Sequence, residues 1–190
     1  IEEITVTARK REESVLDIPE SVSAISGDDI EKQGIKGLDK IGLAVPNLNL
    51  AMRTDGYPNV SIRGIGAFGL TQGVGFYLDD VQLFADASSR FGDLERIEVL
   101  KGPQGTLYGG SNIGGAVKFV SKRPTMGEDS GRIKVQAGGQ DSKDYEYSGN
   151  VAISDSWAMR VFAFNRDDKG FLTNPNSGGQ NQPVDVGAYE

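Results

Sequence analysis

Residues 93–124 read "DLERIEVLKGPQGTLYGGSNIGGAVKFVSKRP", two apolar segments on either side of a glycine-rich stretch. The segments are 96–100, "RIEVL", and 116–120, "AVKFV", and each has the length of a short strand. Between them stand glycines at 102, 105, 109, 110, 114 and 115. Short strands punctuated by glycine predict a compact α+β domain of short mixed strands and helices.

The chain before this stretch carries similar short signals. Residues 19–25 alternate apolar and polar side chains as a strand does, and 26–34 have a serine N-cap and a glycine stop typical of a helix. A second short helix is predicted over 38–45, ended by Pro46. Two further strands are predicted at 59–63 and 74–78.

After about Pro124 the pattern changes to longer strands with period-two alternation, "GRIKVQAGG", "YEYSGNVAI" and "SWAMRVFAFNR". In each strand, one face is more apolar than the other, as in an antiparallel meander. A soluble sheet packed on a helix would show this pattern too. No helix follows to cover the apolar face, however, and lipid would cover it equally well. Residues 167–190 are polar and predict a long surface loop.

The composition argues against several classes of function. The formal net charge is −7 and the basic residues are scattered, which disfavours binding to nucleic acid. The chain has no cysteine and no histidine, so disulfides, thiolate metal sites and the commonest general base are absent. We therefore expect no enzyme activity and no cofactor. The sequence contains no run of about 18 apolar residues, so it predicts no membrane-spanning helix.

Three motif matches are rejected. Residues 64–69 have the G-x-G-x-x-G spacing of a dinucleotide site, but "LTQGVGFYLDD" follows where a helix is required. Gly105 and Gly110 have P-loop spacing, but Ser111 replaces the phosphate-binding lysine. Asp79 and Asp80 follow a predicted strand and are better explained as a turn than as a metal or acid–base pair.

Residues 93–124 closely resemble the most recognisable stretch of TonB-dependent receptor plug domains. Two more blocks agree in order and spacing, "NVSIRGIG" at 59–66 and "VGFYLDDVQL" at 74–83, and "EEITVTARK" near the N-terminus resembles the TonB box. The resemblance covers residues 1 to about 125. Lys101 stands where the family usually has arginine, and "GSNI" at 110–113 replaces its frequent "GRNA". These departures concern local plug–barrel contacts rather than the fold.

The resemblance implies three parts: a TonB-box arm over 1–13, a plug domain over 14–125, and the first β-barrel strands with a surface loop over 126–190. Family members look like barrels of about 22 strands whose lumen the plug fills. Three strands cannot close a barrel, so the fold is incomplete in this chain. We expect a truncation, a proteolytic piece, or one half of a split transporter whose remaining strands lie on another polypeptide.

The implied function is TonB-dependent active transport across the bacterial outer membrane, with the plug gating the lumen and the arm in the periplasm. The cargo would be a scarce ligand, either a ferric siderophore or other chelate, or a glycan. The implied partners are TonB, energised by ExbB and ExbD, the imported ligand and outer-membrane lipid. The alternatives are a ligand-binding or signalling plug module without transport, or half of a split-chain transporter.

The TonB-binding residues implied by the resemblance form a continuous segment: Ile4, Thr5, Val6, Thr7 and Ala8. Its flanks are charged, so we expect that it buries no face and forms a mobile extended arm. Such an arm can add as a strand to a partner's sheet edge through main-chain hydrogen bonds.

Two other sets of residues are implied. Arg63 and Lys101 match family positions that pair with barrel carboxylates, and Glu98 lies nearby on the same predicted strand as Lys101. These three charges are expected to latch the plug, the alternative being that Arg63 and Glu98 satisfy one another inside the plug. Substrate contacts are expected on outward loops, at the following positions: Arg53, Tyr57, Phe68, Gln72 and Phe84. Any metal would arrive already chelated.

Overall fold

The computed structural model describes residues 5–7, 10–35, 37–52, 58–66, 73–83, 92–110, 112–139 and 142–167. The chain divides into two compact units, the first reaching Lys122 and the second beginning at Arg123. In the described parts, no helix has the length and apolar character needed to cross a membrane.

The elements of the first unit are short, as the glycine punctuation predicts. In chain order they are β1 (Thr5–Val6), β2 (Glu13–Ser14), a 3-10 helix (Val15–Asp17), β3 (Ser21–Ser26), α1 (Gly27–Lys32), α2 (Leu38–Ala44), β4 (Leu48–Met52), β5 (Pro58–Ile62), β6 (Val74–Leu78), β7 (Val81–Leu83), β8 (Leu94–Lys101), α3 (Gly105–Tyr108) and β9 (Gly115–Ser121).

A five-stranded mixed sheet in the order β3-β8-β9-β6-β7 forms the centre of the first unit. β6 and β9 run parallel and the other pairs run antiparallel. β4 and β5 form a separate two-stranded sheet, as do β1 and β2. The largest core cluster joins the central strands to α2, through side chains such as Phe76, Ile97, Val117 and Phe119. Burial of these apolar side chains is the main stabilising term.

Both predicted helices are present. Ser26 caps α1, because its Oγ accepts a hydrogen bond from the backbone N–H of Asp29 at 3.2 Å. α2 begins at Leu38 and ends two residues before Pro46. Leu38 and Ile41 are 2% and 0% exposed, so the helix buries the face that its spacing predicted.

Asp79 and Asp80 form the tight turn between β6 and β7, as predicted. Both have positive φ angles, 45° and 71°, which matches the backbone of a type I′ hairpin turn. Their carboxylates have separate structural roles. Asp79 Oδ1 accepts from the backbone N–H of Ser121 at 2.9 Å, and Asp80 Oδ1 lies 2.7 Å from Lys118 Nζ.

The second unit is an antiparallel meander of three longer strands, β10 (Ser130–Ala137), β11 (Lys143–Ser154) and β12 (Trp157–Asp167). Its register places Ile133 opposite Tyr147 and Val151 opposite Met159, so the apolar side chains share one face, as predicted. These side chains are all exposed in the chain.

The opposite face of the meander is polar. Arg166 lies 3.5 Å from Asp144 and 3.6 Å from Glu146, and Lys134 lies 3.5 Å from Glu146. The buried amide of Asn150 donates to the carbonyls of Thr125 and Glu128 and fixes the segment that enters the first strand. Among the described residues, β10 and β12 pair with β11 and not with each other.

Candidate functional site

The expectation that the N-terminal segment buries no face is wrong. Val6 is fully buried in a second apolar cluster whose other members are Ile18, Tyr77, Leu100, Tyr108 and Ala116. β1 also pairs antiparallel with β2, with Thr5 opposite Ser14 and Val6 opposite Glu13. Alternation in a strand explains the mixture, because Thr5 is exposed while Val6 points inward. The segment is docked rather than free.

Thr7 extends this docking through polar contacts to the central sheet. Its backbone N–H and its hydroxyl donate to Glu98 Oε1 at 2.8 and 3.1 Å. The hydroxyl accepts from Lys118 Nζ at 2.7 Å and from Arg96 Nη2 at 3.3 Å. A hydroxyl has one donor and two acceptor positions, so the Thr7 side chain is fully satisfied.

The carbonyl of Thr7 is a second point of attachment. It accepts from the backbone N–H of Lys10 at 2.9 Å, from Lys118 Nζ at 3.1 Å and from the Tyr108 hydroxyl at 3.5 Å. We call the group that holds Thr7 the cradle, defined as Arg96, Glu98, Tyr108 and Lys118.

The cradle is a buried charge cluster. Glu98 is 0% exposed and Lys118 is 1% exposed, while Arg96 is 8% exposed. Arg96 Nε donates to Glu98 Oε1 at 2.7 Å, and Lys118 pairs with Asp80 at the same distance. Buried charges persist only when they are paired and hydrogen-bonded, which this network achieves. Arg96 is also paired with Glu95.

Tyr108 closes the cradle from the glycine-rich loop. Its ring lies 4.8 Å from the ring of Tyr77, and Lys10 Nζ lies 5.4 Å from its centroid. Burial raises the pKa of Tyr108 above its usual range, and the charges of Asp80 and Glu98 raise it further. The hydroxyl therefore stays protonated at physiological pH and remains a donor.

The glycine-rich stretch positions Tyr108 and the buried Asn112. Asn112 Nδ2 donates to the Tyr77 hydroxyl and to the carbonyl of Gly109, both at 2.6 Å. The Tyr77 hydroxyl in turn donates to the carbonyl of Tyr108 at 3.2 Å. Gly75 must lack a side chain here, because a Cβ would overlap Asn112 and lie 2.7 Å from the Tyr77 ring.

The structure separates the three residues expected to form a latch. Arg63 is exposed, with a φ of 53°, and its backbone N–H donates to Asn47 at 2.9 Å. Glu98 is buried in the cradle and pairs with Arg96, so the alternative in which Glu98 and Arg63 satisfy one another is wrong. Lys101 is half-buried, and its pKa is lowered by burial and by the charge of Arg63. The charge of Arg63 thus acts on Lys101, whereas Glu98 pairs with Arg96; we call Arg63 and Lys101 the cationic pair.

Several expected site residues lie outside the described residues. These are Ile4 and Ala8 of the predicted TonB-binding segment and all five predicted substrate contacts: Arg53, Tyr57, Phe68, Gln72 and Phe84. Among the residues that are described, no three carboxylate, histidine or cysteine side chains gather into a group that could hold a metal ion.

Sequence reasoning missed Arg96, Tyr108 and Lys118 as partners of the N-terminal segment. One local signal was present, since Lys118 is the one charged residue of the apolar strand "AVKFV", and Glu98 lies between the apolar residues Ile97 and Val99. A lone charge at the centre of a buried strand requires a partner. The identity of that partner is not written locally, because Thr7 is 91 residues from Glu98 and 111 from Lys118.

The geometry matches known proteins. Residues 14–116 match the model of the TonB-dependent receptor plug domain, which is more than half of the chain. The chain belongs to this family. The fold class expected from the sequence, an α+β plug domain followed by antiparallel strands, is thereby confirmed.

Curated relatives support the assignment of this plug domain to the family. It is 28% identical over 163 residues to the pesticin receptor of Yersinia enterocolitica, covering 83% of this chain and 24% of the receptor. It is 26% identical over 182 residues to the vitamin B12 transporter BtuB of Vibrio vulnificus, covering 92% of this chain and 30% of the transporter. Both names agree with the expectation that the chain is not an enzyme.

Among solved structures, the ferric yersiniabactin uptake receptor FyuA from Yersinia pestis superposes with a TM-score of 0.69 and 25% identity. The match covers 76% of this chain and 24% of FyuA. The chain therefore spans about a quarter of the length of the first curated relatives and structures that it matches.

Proposed function

We propose that this plug domain gates a TonB-dependent transporter that imports a scarce ligand across the bacterial outer membrane. One structural observation supports this proposal most directly. Glu98, which holds the N-terminal segment, and Lys101, a cation of the expected latch, lie three residues apart on the same strand, β8. A pull on the segment would therefore act on the strand that carries the latch cation.

The N-terminal segment is the proposed TonB-binding site. Its backbone already forms a strand pairing in cis, between β1 and β2. A partner that offers a sheet edge would use the same main-chain donors and acceptors. TonB, energised by ExbB and ExbD, is the partner proposed for it, and Ile4, Thr5, Val6, Thr7 and Ala8 are the proposed contact residues.

The proposed latch consists of Arg63 and Lys101 facing carboxylates supplied from outside this plug domain. Neither cation forms an ion pair with another described residue, and their mutual repulsion is uncompensated by Glu98. Two neighbouring cations lower their electrostatic energy when a carboxylate approaches. The proposed role of Glu98 is correspondingly different, because it holds the arm and not the barrel.

The three strands of the second unit are proposed to belong to the wall of the transporter, with outer-membrane lipid against their apolar face. The exposed side chains of that face include Ile133, Val135, Val151 and Val161, while the opposite face carries the ion pairs. Apolar-out, polar-in alternation is the pattern of strands that border a lipid phase. The remaining strands would lie on the same or a separate polypeptide.

The proposed cargo is a ferric siderophore or another chelate, with a glycan as the alternative. The relatives are named for pesticin, ferrioxamine and vitamin B12, so they differ in ligand. The proposed contact residues remain Arg53, Tyr57, Phe68, Gln72 and Phe84, which offer mixed aromatic and polar groups.

The test is deletion of residues 2–9 from the complete receptor in cells. Uptake of a panel of radiolabelled ferric chelates and of cobalamin is compared with binding of the same panel to the cell surface. We expect uptake to be lost and surface binding to persist, because the arm is needed for energy transfer and not for capture. Unimpaired uptake would contradict TonB-dependent transport, and absence of uptake in the parent receptor would favour a binding module.

A further inference from the structure

Glu98 and Lys118 are direct cross-strand partners on β8 and β9, and both are buried. Opposite charges in that arrangement ordinarily contact each other. In this structure Thr7 lies between them and bonds to both. We propose that Glu98 and Lys118 are positioning residues for the N-terminal arm, that Thr7 is a removable spacer between them, and that they form a direct ion pair when the arm leaves. This inference rests on the proposed function, in which the arm must leave to bind its partner.

The hydrogen bonds of Lys118 account for one half of this replacement of the Thr7 contacts by a direct ion pair. Its ammonium group has three donors, and three acceptors are in place: Asp80 Oδ1 at 2.7 Å, Thr7 Oγ1 at 2.7 Å and the Thr7 carbonyl at 3.1 Å. Two of these three acceptors belong to Thr7. Removal of the arm would therefore leave two donors of a buried ammonium without partners.

The hydrogen bonds of Glu98 account for the other half. Its Oε1 atom accepts from the N–H and the hydroxyl of Thr7 and from Arg96 Nε. Its Oε2 atom is buried and has no hydrogen-bond partner in the described part of the chain. Removal of Thr7 would take two donors from this carboxylate and leave only Arg96. Lys118 would thus have two free donors, and Glu98 would lack two donors, so each group could replace what the other has lost.

A direct contact between the two groups requires no movement of the sheet. Cβ atoms of directly opposite residues on antiparallel strands lie about 4.5–5.5 Å apart, well within the reach of a lysine and a glutamate. Leaving Lys118 with two free buried donors and Glu98 with Arg96 as its one donor would be unfavourable. We infer that Glu98 and Lys118 have two paired states, one bridged by Thr7 and one closed by the direct ion pair. The arm can then be released while β8 and β9 stay paired.

The first experiment measures docking of the arm without TonB. These 190 residues contain no cysteine, and any cysteine in the rest of the receptor is replaced by serine, so a spin label on Thr5→Cys, an exposed position, reports arm mobility in the complete receptor. Thr7→Val removes the hydroxyl and keeps the shape, while Thr7→Ser keeps the hydroxyl as the matched control. We expect Thr7→Val to raise the ratio of mobile to docked arm about tenfold or more, because hydrogen bonds to charged groups contribute about that factor.

In the same assay, Thr7→Ser should stay near the parent ratio. An equal ratio of mobile to docked arm in Thr7→Val and in the parent would overturn the spacer role. This test changes no cradle residue, so it does not depend on the folding of cradle variants.

The second experiment measures closure of the ion pair by hydrogen exchange of the β8 and β9 amides. Residues 1–9 are deleted from the complete receptor, in the parent background and with Lys118→Met; Lys32→Met on exposed α1 is the control. We expect protection to survive the deletion when Lys118 is present and to fall about tenfold or more when it is absent, because Glu98 then regains no donor in place of Thr7 and keeps only Arg96. An equal loss of protection with Lys118 present would overturn closure.

The two readouts also separate this inference from the proposed function. Neither the spin-label ratio nor the exchange rate involves TonB. If both behave as expected while the periplasmic domain of TonB fails to bind even the Thr7→Val receptor, TonB capture is wrong and the positioning role of the cradle stands. If TonB binds but the spin label does not respond to Thr7→Val, the positioning role is wrong and TonB capture stands.

Discussion

Lys118 Nζ donates to both oxygens of Thr7, the hydroxyl at 2.7 Å and the carbonyl at 3.1 Å, across 111 positions of the chain. This contact joins the proposed TonB-binding segment to the centre of the mixed sheet. The sequence predicts a mobile arm for this segment, but the contact holds it against the core of the plug. Under the proposed function the arm alternates between docked and released states, and variants of it act on both.

The backbone donor of Val6 is the first target for mutation. Val6→Pro removes the N–H and fixes φ, so strand addition to TonB should be lost. Val6→Ala keeps the donor and removes two buried carbons, each worth about 0.8 kcal/mol, so it should release the arm and bind TonB as well as or more tightly than the parent. Binding of the periplasmic domain of TonB to the two receptors is measured by titration. Undiminished binding of Val6→Pro would contradict the assignment of the box.

Replacement of Arg63 in the cationic pair is expected to change stability in opposite directions in the isolated 190-residue chain and in the complete receptor. The lowered pKa of Lys101 means that the unfolded 190-residue chain binds more protons above that pKa and below 10.5, so stability should rise with pH in this window. Arg63→Gln should weaken that dependence and stabilise the chain at pH 8, since it removes a repulsion.

In the complete receptor, Arg63→Ala should instead make the plug easier to unfold and change transport, because the proposed carboxylate partners would lose a cation. Denaturant titration of the chain and force-induced unfolding of the receptor measure the two effects. Unchanged plug unfolding and transport in the receptor would remove Arg63 from the latch.

Tyr108 predicts a loss of stability at alkaline pH. Its pKa in the folded chain is raised above the ordinary 10.0, so above pH 10 the folded state holds more protons than the unfolded state. Stability should be constant below pH 10 with respect to this group and fall as the pH rises further. Tyr108→Phe should remove that part of the decline, whereas Tyr145→Phe on the exposed face of the meander should not. Unfolding is measured at pH 9 and pH 11; equal declines in the two variants would contradict the prediction.

Gly75 predicts a steric cost at the centre of the plug. An added Cβ would overlap Asn112 Oδ1 and approach the Tyr77 ring, both of which are buried. Gly75→Ala should therefore destabilise the plug by about 1–3 kcal/mol, as overpacking of a close-packed core does. Gly131→Ala is the matched control, because a Cβ there meets nothing within 4 Å. Thermal unfolding of the two variants measures the difference, and equal midpoints would refute the predicted clash.

The meander predicts a face-dependent cost of charge, provided that its apolar face borders lipid. Val151→Arg on that face should destabilise the folded receptor in the membrane by up to about 2–4 kcal/mol, depending on depth. Ala152→Arg, one residue further on the opposite face, should cost much less. Folding into lipid vesicles is compared for the two variants. Equal yields would show that the apolar face does not meet lipid.

Much of the fold was predictable because its signals are local. Ser26 as an N-cap, the buried spacing of Leu38 and Ile41, and the turn at Asp79 and Asp80 each depend on residues a few positions apart. The faces of the three long strands follow from a period of two. β4 and β7 were missed. β7 is only three residues long, and β4 begins only four residues after the last residue of α2, with Pro46 as the one break between them.

The candidate site was predictable only in outline. The N-terminal segment was found through the resemblance to a family, whereas its charged flanks suggested a free arm. Glu98 was selected as a latch residue because it lies near Lys101 in sequence, yet strand alternation places the two on opposite faces of β8. The structure shows Glu98 on the side that receives Thr7.

The sequence by itself determined the family, the α+β character of the plug and the antiparallel strands that follow it. Periodicity, capping residues and glycine turns are properties of neighbouring residues, so they can be read without coordinates. Only the tertiary structure decided that the proposed TonB-binding segment is docked and that Thr7 separates Glu98 from Lys118. Those contacts join residues about a hundred positions apart. Their energies come from burial and charge pairing, which exist only once the chain has folded.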